Sequence, residues 1–213
     1  MVEPVEGIEA VRALVWGFDG ALSAAGPEDW LLALEAEFGV ERAGLTRCLT
    51  GAGAADLLCG RVDSLDVLAD WARETGFEGD PEDILEVWFA TLSGPGPELA
   101  RVMAQLDAAG LVQVAAVNAD ARRARVVAEV LAGQVDAVFA SGEMGVMLPD
   151  SAFFERIEAA LGMKAPEILL IAPQPRWIDA ADARGWASCP VGPSGVRGVA
   201  GALMPLMLRA ASE

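Results

Sequence analysis

Residues 13–22 read ALVWGFDGAL. The run from Ala13 to Trp16 carries no polar side chain, the pattern of a strand covered on both faces in a parallel sheet. Asp19-Gly20 then breaks the run and places small and polar groups at the strand's carboxyl end. In open α/β sheets, ligands and reacting groups collect at such ends.

Outward from this strand the chain shows two patterns. The spacing of apolar residues predicts helices over 28–38, 42–50, 53–60, 64–76 and 81–92. Asp80-Pro81-Glu82-Asp83 is a helix start, with Asp80 as cap, Pro81 at the first helical position and acids in the first turn. Trp30, Trp71, Trp88 and Phe89 lie among Leu and Ala, which predicts a small bundle with its own core. Residues 93–97, SGPGP, read as a linker.

From there helix and strand alternate: helix 97–109, strand 111–117, helix 120–132, strand 135–141, helix 149–161, strand 167–171, helix 175–185, strand 186–191 and a helix near 194–209. Alternation of this kind builds right-handed βαβ units on a parallel sheet. The expected fold class is α/β: a Rossmann-like parallel sheet with helices on both faces, formed by 1–23 and 95–213. A small α-helical cap, 24–94, is inserted after the first strand.

Composition narrows the function. The formal charge is −17, from 32 acidic and 15 basic residues, which opposes binding to nucleic acid and to anionic membranes. No apolar run reaches the roughly 18 residues that span a bilayer. The acidic start MVEPVEGIEA lacks the basic region of a signal peptide, so a cytoplasmic location is expected. Histidine is absent and Lys164 is the single lysine, which removes the commonest general base and metal ligand. Cys48, Cys59 and Cys189 have no CxxC spacing and are expected to be reduced.

The strand followed by Asp19-Gly20 resembles the first motif of the haloacid dehalogenase (HAD) superfamily, an apolar strand followed by Asp-x-Asp-Gly-Thr. The resemblance covers nearly the whole chain, and it implies one site built from four strand ends. There an aspartate attacks the substrate, a second aspartate handles the proton, Ser/Thr and Lys hold phosphoryl oxygens, and further acids hold Mg²⁺. Asp19 and Gly20 match the first motif, but the nucleophile falls on Gly17 and the threonine on Ala21. The second motif falls on VQVAAVNAD, with Val117 in place of the hydroxyl and Asn118 after it. The third falls on SGEMGVMLPD, 141–150, where Ser141, Gly145, Pro149 and Asp150 keep the frame and the lysine position holds Leu148. The acidic pair of the fourth falls on Ala172-Pro173, with Gln174 the nearest polar group and a poor Mg²⁺ ligand. Lys164 precedes strand 167–171 and sits about 15 Å from its carboxyl end, too far to substitute.

Three expectations follow. The first is a catalytically inactive HAD-like protein, acting through a protein partner, a homodimer or a ligand. It takes Gly17, Ala21, Val117, Leu148, Ala172 and Pro173 as degenerate, with no Mg²⁺ and no other cofactor. Asp19 is then a turn residue that binds its own backbone, and Asn118 or Asp120 caps the following helix. The second is a HAD-type, phosphatase-like hydrolase with residual or rebuilt activity using Asp19, Glu143 or Gln174. The third is an apolar small-molecule binder in the core–cap cleft. Phe18, Asp19, Asn118, Met147, Leu148 and Gln174 are the cleft candidates; Phe18, Val117, Met147 and Leu148 either fill the cleft or leave it open.

Overall fold

The computed structural model describes residues 7–26, 28–51, 53–192 and 195–208. β1 (Ala13–Gly17) is buried at all five positions, and that burial follows from its place. It is the central strand of a five-stranded, wholly parallel sheet of order β3-β2-β1-β4-β5. β2 (Val112–Val117) and β4 (Ile168–Ala172) flank it, with Val15 level with Val114 on one side and Leu170 on the other. β3 (Ala137–Ala140) and β5 (Ala187–Pro190) form the edges.

Between β1 and the helix that leads into β2, five α-helices are described. They are α1 (Asp29–Phe38), α2 (Arg42–Thr50), α3 (Ala54–Leu58), α4 (Ser64–Thr75) and α5 (Pro81–Ala90). Leu34, Leu45, Leu68, Trp71 and Ile84 bury a core of their own between them. As the sequence predicts, Asp80 caps α5, accepting from Glu82 N at 2.9 Å. α3 stops at Leu58 rather than 60, because Gly60 turns the chain at φ 70°, a conformation that costs glycine little.

The remaining helices are α6 (Pro97–Ala108), α7 (Ala121–Val130), α8 (Ser141–Met144), α9 (Ser151–Leu161), α10 (Pro175–Arg184) and α11 (Gly195–Met207). The expected ends of the last helix at 194 and 209 lie outside the described residues. Period-two alternation along β1 sends Leu14 and Trp16 to one face and Ala13 and Val15 to the other. On the first face they meet Met103 and Leu106 of α6, Val127 of α7 and Leu203 of α11. On the second they meet Phe153 and Phe154 of α9 and Trp177 of α10. The sheet is thus covered on both faces. Trp16 Nε1 donates to Gln113 Oε1 at 3.3 Å, and Gln113 Nε2 donates to Met103 O at 2.8 Å, so the polar groups inside this layer are paired.

Cys48, Cys59 and Cys189 are free thiols, and burial pushes the Cys189 thiol up to about 11. Among the described residues, no helix is long and apolar enough to cross a membrane.

Candidate functional site

The chain leaves β1 through a turn over 18–22, closed by Ser23 N donating to Phe18 O at 2.9 Å. Gly20 carries its positive φ of 81°, and a Cβ there would stand 2.8 Å from Pro173 Cγ. Asp19 lies at the front of this turn with its side chain 45% exposed.

The expectation that Asp19 binds its own turn is corrected. Its carboxylate takes two bonds from Arg123, Nη2 to Oδ1 at 2.5 Å and Nη1 to Oδ2 at 3.1 Å. The pairing wins because Arg123 has nowhere better to put its charge: the residue is only 9% exposed. Its guanidinium lies 5.8 Å from the Phe18 ring centroid and 5.9 Å from that of Trp88. A buried guanidinium needs a counter-charge, and a carboxylate meeting its fork supplies one.

Of the two caps that the sequence offered for the next helix, Asn118 and Asp120, only Asp120 serves. Asp120 caps α7, with Oδ1 accepting from Arg122 N at 2.9 Å. Asn118 is no cap. Its Nδ2 donates to Leu148 O at 2.8 Å and its Oδ1 accepts from Leu148 N at 2.9 Å, so its amide clamps the loop before α9.

Helices α3 and α4 sit directly on these strand ends. Ser141 Oγ donates to Leu58 O at 2.5 Å and accepts from Ala119 N at 2.9 Å. Ser64 Oγ donates to Asp120 Oδ1 at 3.1 Å. Arg122 Nε reaches Asp63 Oδ1 at 2.7 Å and holds that carboxyl below its ordinary range.

Between α1, α3 and α5 and the strand ends lies an open cleft of about 730 Å³. Of the six cleft candidates, Asp19, Asn118, Met147 and Gln174 line it. Phe18 and Leu148 do not; they are buried, Phe18 with the Trp16 layer and Leu148 against Phe153 and Trp177. Val117 is likewise buried beside Trp16. Of the four side chains that could fill the cleft, Phe18, Val117 and Leu148 are absorbed by the two sheet faces, Met147 lines the cleft, and it stays open. Trp71 is buried in the bundle as expected. Trp30 and Trp88 are half-buried, pair at 4.9 Å and form a wall of the cleft. Glu143 and Lys164 are exposed and outside its lining.

Two polar atoms here have no partner in the protein although they are buried: Arg123 Nε and Gln174 Oε1. Gln174 Nε2 donates to Asp19 O at 3.3 Å, so both side chains flank Asp19. Arg123 escaped the sequence reading, yet it left a signal. It shares the buried phase of α7 with Ala124 and Val127, and a charged residue on the apolar stripe of a helix is there for a partner.

The donors at the strand ends do not suit Mg²⁺, which asks for an octahedron of oxygens. Both Asp19 oxygens accept from a guanidinium, Asn118 Oδ1 accepts from a backbone amide, and Ala172-Pro173 has no side-chain oxygen. Among the described residues there is no group of three His, Cys, Asp or Glu that could hold a metal.

Gly17 adjoins this site with little room beside it. A Cβ there would meet Ala172 Cβ at 3.2 Å, and Ile171 O and Trp177 at 3.4 Å. Gly17→Asp is therefore expected to lower stability by about 1–3 kcal/mol and to add no turnover. Thermal melts and a phosphatase assay of the variant check this.

No protein-family model and no curated protein matches the chain. Solved structures do. A predicted HAD-like family hydrolase from Porphyromonas gingivalis superposes with a TM-score of 0.69 at 21% identity, over 85% of this chain and 91% of that one. A HAD family enzyme from Bacteroides thetaiotaomicron, in complex with magnesium and inorganic phosphate, gives 0.70 at 14% identity over 85% and 94%. An L-2-haloacid dehalogenase from Xanthobacter autotrophicus, with chloropropionic acid covalently bound, gives 0.65 at 20% identity over 95% and 88%.

These neighbours correct the expectation of a catalytically inactive protein. They are a predicted HAD-like hydrolase, a HAD family enzyme and a haloacid dehalogenase, and the chain shares their architecture along most of its length. The inactive reading weighed only the groups missing from the motif positions. The hydrolase alternative agrees with what these neighbours are, and the open cleft is a feature that it shares with the small-molecule-binder alternative.

Proposed function

We propose that this chain, which has the fold of the haloacid dehalogenase-like superfamily, is a hydrolase of that broad type with its chemistry rebuilt around Asp19. The observation that carries the reading is the Asp19 carboxylate itself. It stands at the carboxyl end of the central strand, half exposed to a cleft of about 730 Å³ and oriented by two Arg123 N–H groups.

Asp19 matches the aspartate that, by the resemblance, handles the proton. Gly17 offers no attacking side chain, so Asp19 draws a proton from a water molecule and that water attacks the substrate in one displacement. A positioned carboxylate acting this way contributes typically about 10²–10⁴ in rate. Residues 24–94 serve as the cap that shields the reaction from solvent, which strengthens the electrostatics inside. The family's magnesium has no fitting donor set here, so no step passes through a metal.

The test is turnover by the purified chain across neutral esters, amides, phosphomonoesters and 2-haloacids, each with and without EDTA. Turnover of at least one class, unchanged by EDTA, is the expected result. Turnover that EDTA abolishes, or none on any class, would overturn the proposal.

A further inference from the structure

The cleft also bears on what it takes in. Asp19, Asp120 and Arg123 are its charged lining residues, so the wall is net negative, and the whole chain carries −17. Arg123 is already committed to Asp19. An incoming phosphate or carboxylate would meet like charge, and the guanidinium's positive charge is already balanced by Asp19. Much of the remaining wall is apolar, including Trp30, Trp88, Leu57 and Met147, and the volume falls in the range of small-molecule sites.

Arg123 and Gln174 both line the cleft, and each carries one buried polar atom that has no partner in the protein. Arg123 Nε–H is a donor and Gln174 Oε1 an acceptor, and their side chains flank Asp19 from two elements, α7 and the loop after β4. A buried donor without an acceptor is costly to a fold. Ligand recognition by such a cleft requires one acceptor and one donor on an otherwise apolar body.

We infer that the substrate is an uncharged carbonyl compound, an ester or a carboxamide with an apolar body, whose carbonyl oxygen binds Arg123 Nε–H. The inference rests on the hydrolase reading above. The water oxygen adds to the carbonyl carbon while its proton passes to the Asp19 carboxylate. The carbonyl's π pair moves onto its oxygen, facing Arg123 Nε–H. When the tetrahedral intermediate collapses, the bond to the alcohol oxygen or amide nitrogen breaks, and the proton on Asp19 goes to that leaving group. Negative charge leaves Asp19 as it appears on the oxyanion, and one guanidinium faces both, so the cation keeps a partner throughout. Gln174 Oε1 accepts a hydrogen bond from the second O–H of the attacking water, which stays on the product acid, or from an amide N–H. The acid product is an anion in a net-negative cleft, which favours its release.

The experiment compares p-nitrophenyl butyrate with p-nitrophenyl phosphate and 2-chloropropionate on the full chain in EDTA. The ester is expected to win by at least about 100-fold in kcat/KM, and Arg123→Lys, which lacks the Nε–H, to lose about 10²–10³ in kcat with KM little changed. Binding supplies a second readout, through the fluorescence of Trp30 and Trp88. Hexanamide is expected to bind at least about tenfold more tightly than hexanoate to the wild-type chain. Preferred turnover of phosphate or chloropropionate overturns the substrate assignment and leaves the hydrolase reading standing. Absence of turnover on all three and on hexanamide, which stands for the amides, overturns that reading. Hexanoate binding as tightly as hexanamide overturns the assignment whether or not turnover is seen.

Discussion

Asp19→Asn is expected to cut turnover by about 10²–10⁴-fold, the span a single positioned base commands. The exchange is nearly isosteric. Asparagine keeps an oxygen toward Arg123 Nη2 but loses the charge and the second oxygen that Nη1 bonds at 3.1 Å. The stability cost is about 1–3 kcal/mol: water screens the carboxylate, which is 45% exposed, but the buried Arg123 guanidinium loses its counter-charge. The two readouts therefore separate. A fall in kcat far larger than the melting shift explains marks Asp19 as the acting base. A fall in melting temperature large enough to explain the lost activity would mark it as only a strut for Arg123. An unchanged kcat would remove Asp19 from the chemistry altogether.

How far these features were legible in the sequence depended on the range of the interaction behind each. The run at 13–16 declared a central strand, since covering both faces leaves no place for a polar side chain, and all five residues of β1 are buried. Helix starts such as Asp80-Pro81 were equally plain, because a cap bonds its own neighbours. The site was legible only where the signal was local. Asp19 was found through its turn, but its partner Arg123 lies 104 residues away. Asn118 was read as a possible cap, whereas its amide reaches a loop 30 residues on. Motif matching compares position with position. It noted what Gly17, Val117 and Leu148 lack, and it had no means of seeing that Val117 and Leu148 belong to the sheet faces while the cleft opens elsewhere.

The seating of α3 on the strand ends is the other long-range feature, and Gly60→Val is expected to disrupt it at a cost of about 2–5 kcal/mol. Two penalties combine. Gly60 holds φ at 70°, where an L side chain costs about 1–2 kcal/mol, and a β-branched one fares worst. The added Cβ would also stand 2.3 Å from Gly142 O and 3.1 Å from its carbonyl carbon. Gly142 cannot retreat, since its own Cβ position lies 2.7 Å from Ala119 O and 2.9 Å from Asp120 Cα. Something in the seat must therefore shift, and the contacts beside it, Ser141 to Leu58 and Ser64 to Asp120, move with it. For a chain of this size the loss corresponds to roughly 5–15 °C in melting temperature. Gly39→Ala is the control: its φ is 64° but nothing lies within 4 Å of the new Cβ, so it carries the backbone cost of about 1 kcal/mol alone. Should the two variants melt together, α3 does not depend on close backbone contact with Gly142. Should Gly60→Val melt far lower, that contact holds α3 against the strand ends and with it one wall of the cleft.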